Sequence, residues 1–220
     1  MPESLEARLK FFQGEVDGQA HLLPVSKYVD SPIIRSCYQL GIRNFAEARV
    51  QDLMNKSDEL KDCEGLNWHF VGNLQRNKVK KLLSVKGLYA IHSVDRLELL
   101  HELLKNQEML DRPVKVFLQV NTSGESEKSG FLNLDEVKKA LELLQTQSGK
   151  KLEFQGLMTM ATLRTAEKEQ AAEHCFKALS QFRDILGAGK IELSMGMSSD
   201  YQQALKYGAD WIRIGRAIFL

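Results

Sequence analysis

A lysine that closes one apolar run and a glycine-arginine pair that closes another are the residues of this 220-residue chain with the clearest chemical potential. In residues 21–27 (HLLPVSK) the alternation Leu23, Val25, Lys27 puts the Lys27 amine on the same face as two apolar side chains. If that face lines a pocket, desolvation and neighbouring cations lower the affinity of the amine for its proton, which is what imine formation with an aldehyde requires. Taken alone, a lysine at a strand end is more often simply solvated. Residues 211–219 (WIRIGRAIF) say more. A strand reaches Gly215 and a helix can begin at once, so a ligand can approach the glycine backbone while the N–H groups of Gly215 and Arg216 suit a phosphate. Residues 194–200 (SMGMSSD) add hydroxyls and another glycine beside that position, although glycine turns with serine caps also join strands to helices where nothing binds. Arg213 shares strand parity with Gly215 and should face inward, where a guanidinium without an acceptor is costly.

The elements that must position these residues are legible as eight short runs rich in β-branched or aromatic types: 21–27, 44–48, 68–72, 88–94, 114–121, 152–160, 191–195 and 211–215. Amphipathic segments separate them, with Leu97, Leu100, Leu103 and Leu104 on one helical face and Val137, Leu141 and Leu144 on another. Ser31-Pro32 and Asp95 are helix-start signals. Strands that alternate with helices pair in parallel, and eight such units at a period of roughly 25 residues fit a closed (β/α)8 TIM barrel better than an open sheet. A further helix over 4–13 precedes the first strand. No linker-like stretch or repeat divides the chain, so residues 1–220 read as a single domain. Barrel chemistry sits at the carboxyl ends of the strands, commonly with phosphate held by the loops after strands seven and eight. A lysine on strand one, an inward arginine on strand eight and a phosphate cup between the last loops describe a site for an aldehyde-bearing phosphate ester, and pyridoxal 5′-phosphate is the obvious candidate.

Composition narrows the partners. With 30 Lys+Arg against 29 Asp+Glu the formal charge is +1, which removes the electrostatic case for general nucleic-acid or acidic-lipid binding. Arg76, Lys78, Lys80, Lys81 and Lys86, interrupted by Val79, Leu82 and Leu83, read as the wet side of an amphipathic helix. No apolar run approaches the roughly 20 residues needed to span a bilayer, and the first residues are charged rather than signal-like, so a cytoplasmic protein is expected. Cys37, Cys63 and Cys175 form no CxxC pair and read as reduced thiols. The five histidines lack metal-ligand spacing, and His69 and His92 read as satisfied core or rim residues. Glu125, Glu127 and Lys128 read as a solvated loop rather than a mobile lid, Asn73, Gln75 and Asn77 can rim the mouth, Met158, Met160, Met195 and Met197 read as barrel packing with some flanking the cofactor ring, and Phe11, Phe12 and Trp211 as core.

The chain also resembles the YggS/PROSC family of pyridoxal-phosphate-binding homeostasis proteins along nearly its whole length. The matching stretches are PVSK (24–27), NFAEARVQD (44–52), WHFVGNLQRNK (68–78), IHSVDR (91–96), VNTSGESEKSGF (121–131), GLMTM (156–160), LSMGMSSD (193–200) and WIRIGRAIF (211–219). The resemblance implies a type III pyridoxal-phosphate fold similar to the alanine racemase N-terminal domain, with the cofactor held as an imine on Lys27. It further implies phosphate contacts from Ser198, Gly215 and Arg216, and places Arg213 opposite the pyridine nitrogen. The second-strand motif commonly reads FGEN, whereas this chain has Phe45-Ala46-Glu47-Ala48, and Tyr28 stands where a threonine is usual. A permanently charged guanidinium at the pyridine nitrogen keeps that nitrogen unprotonated and weakens the ring as an electron sink. Binding needs no such sink, and racemases of similar fold add a β domain that a chain of this length has no room for. The expected function is therefore to hold pyridoxal 5′-phosphate in its cellular homeostasis and in amino-acid and keto-acid balance, without turnover, as a monomer with apo pyridoxal-phosphate enzymes as candidate recipients and with neither nucleic acid nor membrane as a partner. The rival reading is a slow one-base amino-acid racemase in which Lys27 shuttles the α-proton.

Overall fold

The computed structural model describes residues 3–125, 127–146, 151–162, 167–187 and 190–220. The short apolar runs are strands because their neighbours cover them on both faces: in β4 (Leu88–Val94) every residue but Tyr89 is buried. The others are β1 (His21–Pro24), β2 (Asn44–Glu47), β3 (Asn67–Phe70), β5 (Val114–Gln119), β6 (Leu152–Met158), β7 (Glu192–Ser194) and β8 (Trp211–Ile214). All their pairings are parallel. The order around the sheet is β1-β8-β7-β6-β5-β4-β3-β2. A single bridge between Val25 and Ala46 then joins β1 to β2 and closes the (β/α)8 barrel, helped by the Ser26 N–H, which donates to the Ala46 carbonyl at 2.8 Å.

Helices α1 (Leu5–Val16), α2 (Ser31–Gln39), α3 (Val50–Glu59), α4 (Val79–Leu83), α5 (Leu97–Lys105), α6 (Leu134–Thr146), α7 (Lys168–Leu186), α8 (Tyr201–Lys206) and α9 (Arg216–Phe219) surround or cap the sheet. Each buries one stripe, as α5 does with Leu99, Leu100, Leu103 and Leu104. Two cores result. The larger lies between helices and sheet; the smaller fills the cylinder with Leu23, Val25, Ala46, Ala90, Phe117, Met158 and Trp211.

Several local expectations shift. Most strands stop one to three residues before the apolar run does, because the last residues turn out of the sheet into the loops of the carboxyl face. Lys27 is one such residue: it lies in the turn beyond the Val25 bridge, not in β1. Phe12 and Trp211 are core residues, but Phe11 is 40% exposed, since α1 buries Leu9, Phe12 and Val16 and a step of about 100° per residue swings Phe11 away. The basic segment splits into a 3-10 turn, Arg76–Lys78, and the short α4, whose Val79, Leu82 and Leu83 are buried. No helix among the described residues is long and apolar enough to cross a membrane.

Candidate functional site

At the carboxyl ends of the strands a cavity of about 430 Å³ is lined by Lys27, Ser198, Arg213, Gly215 and Arg216 together. All five residues singled out in the sequence therefore share one space. Its apolar wall comes from Val25, Val71, Met160 and Met197.

Lys27 owes its place to the residue before it. Ser26 is fully buried; its Oγ is within donating distance of the Ala46 carbonyl, 3.1 Å, and of Glu47 Oε1, 3.2 Å. Lys56 on α3 donates from Nζ to the Ser26 carbonyl at 2.8 Å and to Glu47 Oε1 at 2.9 Å. The seam where the barrel closes on one bridge is thus held by a buried ion pair. Lys27 projects from that anchored turn with Nζ 5.0 Å from the centre of the Tyr28 ring. It is exposed rather than turned inward as the strand alternation predicts.

The loop after β7 depends on Gly196, where φ is +90° and a Cβ would stand 2.6 Å from that of Ala204. Neither condition admits another residue. Asp200 closes the following turn by accepting the Met197 N–H on Oδ1 at 2.6 Å, which leaves Ser198 and Ser199 exposed in the cavity lining. Burial pushes the Asp200 carboxyl above its usual value, against the Met197 N–H and the Arg213 charge. Gly215, the cap of α9, differs from Gly196. A Cβ there would meet the Val25 carbonyl oxygen at 3.4 Å, an ordinary contact, so packing alone does not require glycine. The first N–H groups of a helix have no intrahelical acceptor, and here they lie beside the exposed Arg216 side chain in the lining.

Arg213 is buried, and it has the acceptors that its parity demands. Nη1 donates to Ser194 Oγ at 2.8 Å and Nη2 to the Thr159 carbonyl at 2.9 Å. Burial lowers its pKa to about 10, with Asp200 acting in the opposite sense, so it remains a cation at neutral pH. Nothing local in the sequence marks Ser194 or Thr159 as its partners; the available signal is that a buried guanidinium must have acceptors. The same holds for His69 and His92, fully buried inside the barrel and hydrogen-bonded to each other at 2.9 Å.

A second cavity of about 230 Å³ adjoins the first through Val71 and Met160 and includes Asn73, Gln119, Asn121 and Lys128. Asn73 is a rim residue, as expected, whereas Gln75 and Asn77 are exposed and belong to neither lining. Among the described residues of the loop of 121–131, Asn121 Nδ2 donates to the carbonyls of Glu125 and Lys128 at 2.8 and 3.1 Å and ties them together. Ser126 of that loop lies outside the described residues. On the second strand, Ala46 packs inside the barrel, Glu47 is spent on Lys56 and only Ala48 reaches the cavity.

The donor set fits a phosphorylated aldehyde. The main cavity offers one amine, two serine hydroxyls, the Tyr28 phenol and two guanidinium groups, and no Asp or Glu among the described residues is in its lining. Its volume falls within the range of small-ligand sites, roughly 300 to 1,000 Å³.

Comparison with known proteins bears on the same chemistry. The family model described as "Alanine racemase, N-terminal domain" matches residues 2–220. The pyridoxal phosphate homeostasis protein of Schizosaccharomyces pombe is 38% identical over 204 residues, covering 90% of this chain and 82% of that protein. The structure of PipY from Synechococcus elongatus PCC7942 without pyridoxal phosphate superposes with a TM-score of 0.88 at 33% identity, over 99% of this chain and 100% of that one. PipY with pyridoxal phosphate bound gives 0.83 at 31% identity, with the same coverage.

Proposed function

The chain belongs to the family of pyridoxal phosphate homeostasis proteins, built on the alanine racemase N-terminal domain, and from that premise we propose that it holds pyridoxal 5′-phosphate at the carboxyl end of its barrel as part of cellular cofactor homeostasis. The observation that carries this reading is that Lys27, Arg213 and the phosphate-type donors Ser198, Gly215 and Arg216 line one cavity. When bound, the cofactor supplies an electrophilic aldehyde and an anionic phosphate. Lys27 provides the amine for the aldehyde. Ser198, the N–H groups at Gly215 and Arg216, and the Arg216 guanidinium provide donors for the phosphate.

Arg213 decides between storage and turnover. A cation held against the ring nitrogen opposes its protonation and keeps the ring a poor electron sink, which favours holding the cofactor over racemising an amino acid on it. The same reading makes the protein a cytoplasmic monomer that supplies apo pyridoxal-phosphate enzymes and binds neither nucleic acid nor membrane, in line with a net charge of +1. Titration with the cofactor, followed by visible absorption, tests the proposal. The wild type should develop a saturable band that Lys27→Ala lacks, and a panel of L- and D-amino acids should show no sustained conversion. Saturation by the Lys27→Ala variant, or turnover by the wild type, contradicts it.

A further inference from the structure

A line of hydrogen bonds crosses the inside of the barrel and ends on Arg213. Ser194 Oγ on β7, which accepts from the guanidinium, also meets His92 Nδ1 on β4 at 2.8 Å. His92 Nε2 meets His69 Nδ1 on β3 at 2.9 Å, and His69 Nε2 meets Asn44 Oδ1 on β2 at 3.2 Å. One order of donors satisfies every link. Ser194 already accepts from Arg213, so its hydroxyl proton goes to His92 Nδ1; His92 then carries its proton on Nε2 and donates to His69, and His69 donates from Nε2 to Asn44. Reversing the order makes Ser194 accept twice, strands its hydroxyl proton and forces Asn44 to turn its amide.

The chain also requires both imidazoles to be neutral, since a second proton on either sets N–H against N–H or removes the acceptor for Ser194. The surroundings agree. Burial, then the charges of Arg112 and His21, push His69 down to about 3. Burial, then His69 and Arg213, hold His92 well below its ordinary value. Neither ring can turn away. His92 is stacked on Phe117 with centroids 4.2 Å apart, and His69 lies 4.9 Å from the Trp211 ring and 5.1 Å from Tyr89. Asn44, the far terminus, lines a separate cavity at the amino end of the barrel.

Resting on the cofactor site described above, we propose that Ser194, His92 and His69 are positioning residues that aim the Arg213 guanidinium at the cofactor ring nitrogen and thereby keep that nitrogen unprotonated. They touch no ligand themselves. Arg213 can swing about its second anchor, the Thr159 carbonyl, unless Ser194 fixes Nη1. Ser194 is in turn oriented only if His92 presents a lone pair on Nδ1, which the His69 and Asn44 links select.

The test uses cofactor labelled with 15N in the ring and reads its chemical shift in the bound protein over the neutral pH range, beside the yield of borohydride-trapped adduct on Lys27. The wild type should show an unprotonated ring nitrogen. Ser194→Ala should move the shift toward the protonated form while the Lys27 adduct still forms, and Ser194→Thr, which restores the hydroxyl, should return it. Should Ser194→Ala fail to fold, Asn44→Ala at the partly exposed far end carries the test, with a smaller shift in the same direction. An adduct on Lys27 with the wild-type shift in the folded variant overturns the positioning role alone. No adduct on Lys27 in the wild type overturns the cofactor site, and this proposal with it.

Discussion

The two mouths of the barrel are both polar, yet they are prepared for different things. At the carboxyl mouth the lining holds Lys27, Arg213 and Arg216 with two serine hydroxyls, the Tyr28 phenol and, among the described residues, no carboxylate. At the amino mouth a cavity of about 230 Å³ is lined by Asn44, Asn67, Glu192 and Trp211 among others. There Glu192, Asn67 and Asn44 are each engaged by another side chain of the protein. Glu192 Oε2 accepts from the Trp211 indole at 2.7 Å, and Asn67 Oδ1 accepts from Arg112 at 3.1 Å. The contrast follows from topology. Parallel strands with right-handed crossovers bring the helix N-termini, their unpaired N–H groups and their positive dipole ends to the carboxyl mouth. Availability of donors, not polarity as such, separates the binding end from the structural end.

Four perturbations would break or sharpen that contrast. The largest effect is expected beneath Lys27, where Lys56→Met leaves Glu47 charged in a fully buried site. Loss of one partner of a buried pair costs about 3–5 kcal/mol, measurable as a lower urea midpoint. The double variant Lys56→Met with Glu47→Leu should recover most of it, and an equal loss in the double variant would show that the seam needs the ions themselves. Next comes the phosphate cup. Arg216→Ala should weaken pyridoxal 5′-phosphate by about 1.5 kcal/mol, about tenfold, through one lost charge-assisted hydrogen bond, while leaving pyridoxal, which has no phosphate, unchanged. Equal weakening of both would place the anion elsewhere.

The third perturbation is acid. In the unfolded chain His69 and His92 have the ordinary imidazole pKa of 6.5, whereas in the barrel both are lowered, His69 to about 3. Below 6.5 the unfolded chain therefore binds protons that the native barrel refuses. Their contribution is constant above that pH and declines as pH falls toward 3, by at most about 1.4 kcal/mol per pH unit for each histidine. His69→Gln should flatten the pH dependence of the unfolding free energy by one histidine's share, and an unchanged slope would show that the interior is not sealed. The smallest effect is expected at the amino mouth. Glu192→Gln keeps an acceptor for the Trp211 indole, so stability should change by less than about 1 kcal/mol and cofactor affinity not at all; a change in affinity would mean that the two ends are not separate.

Much of this arrangement is legible in the chain because its logic is local. The alternation in 211–215 turns Arg213 inward, and a buried guanidinium must find acceptors. Which acceptors it finds is not local. Ser194 faces it only because β7 pairs Ser194 with Met158 on one side and with Trp211 on the other, and register between strands separated by helices leaves no mark in either segment. Lys27 shows the same limit. Alternation carries the apolar pattern of β1 up to it, but the strand has already left the ladder, since its neighbour β2 offers one bridge at Val25. Phe11 misled for the opposite reason: two adjacent phenylalanines look like core, and only the helical step decides which one is.

The most direct measurement is borohydride reduction of the protein equilibrated with pyridoxal 5′-phosphate, followed by peptide mass mapping of the reduced adduct. This account predicts one pyridoxyl group per chain, on the peptide that contains Lys27, and its absence when inorganic phosphate is present in large excess. A label on another lysine, or labelling spread over many, contradicts it.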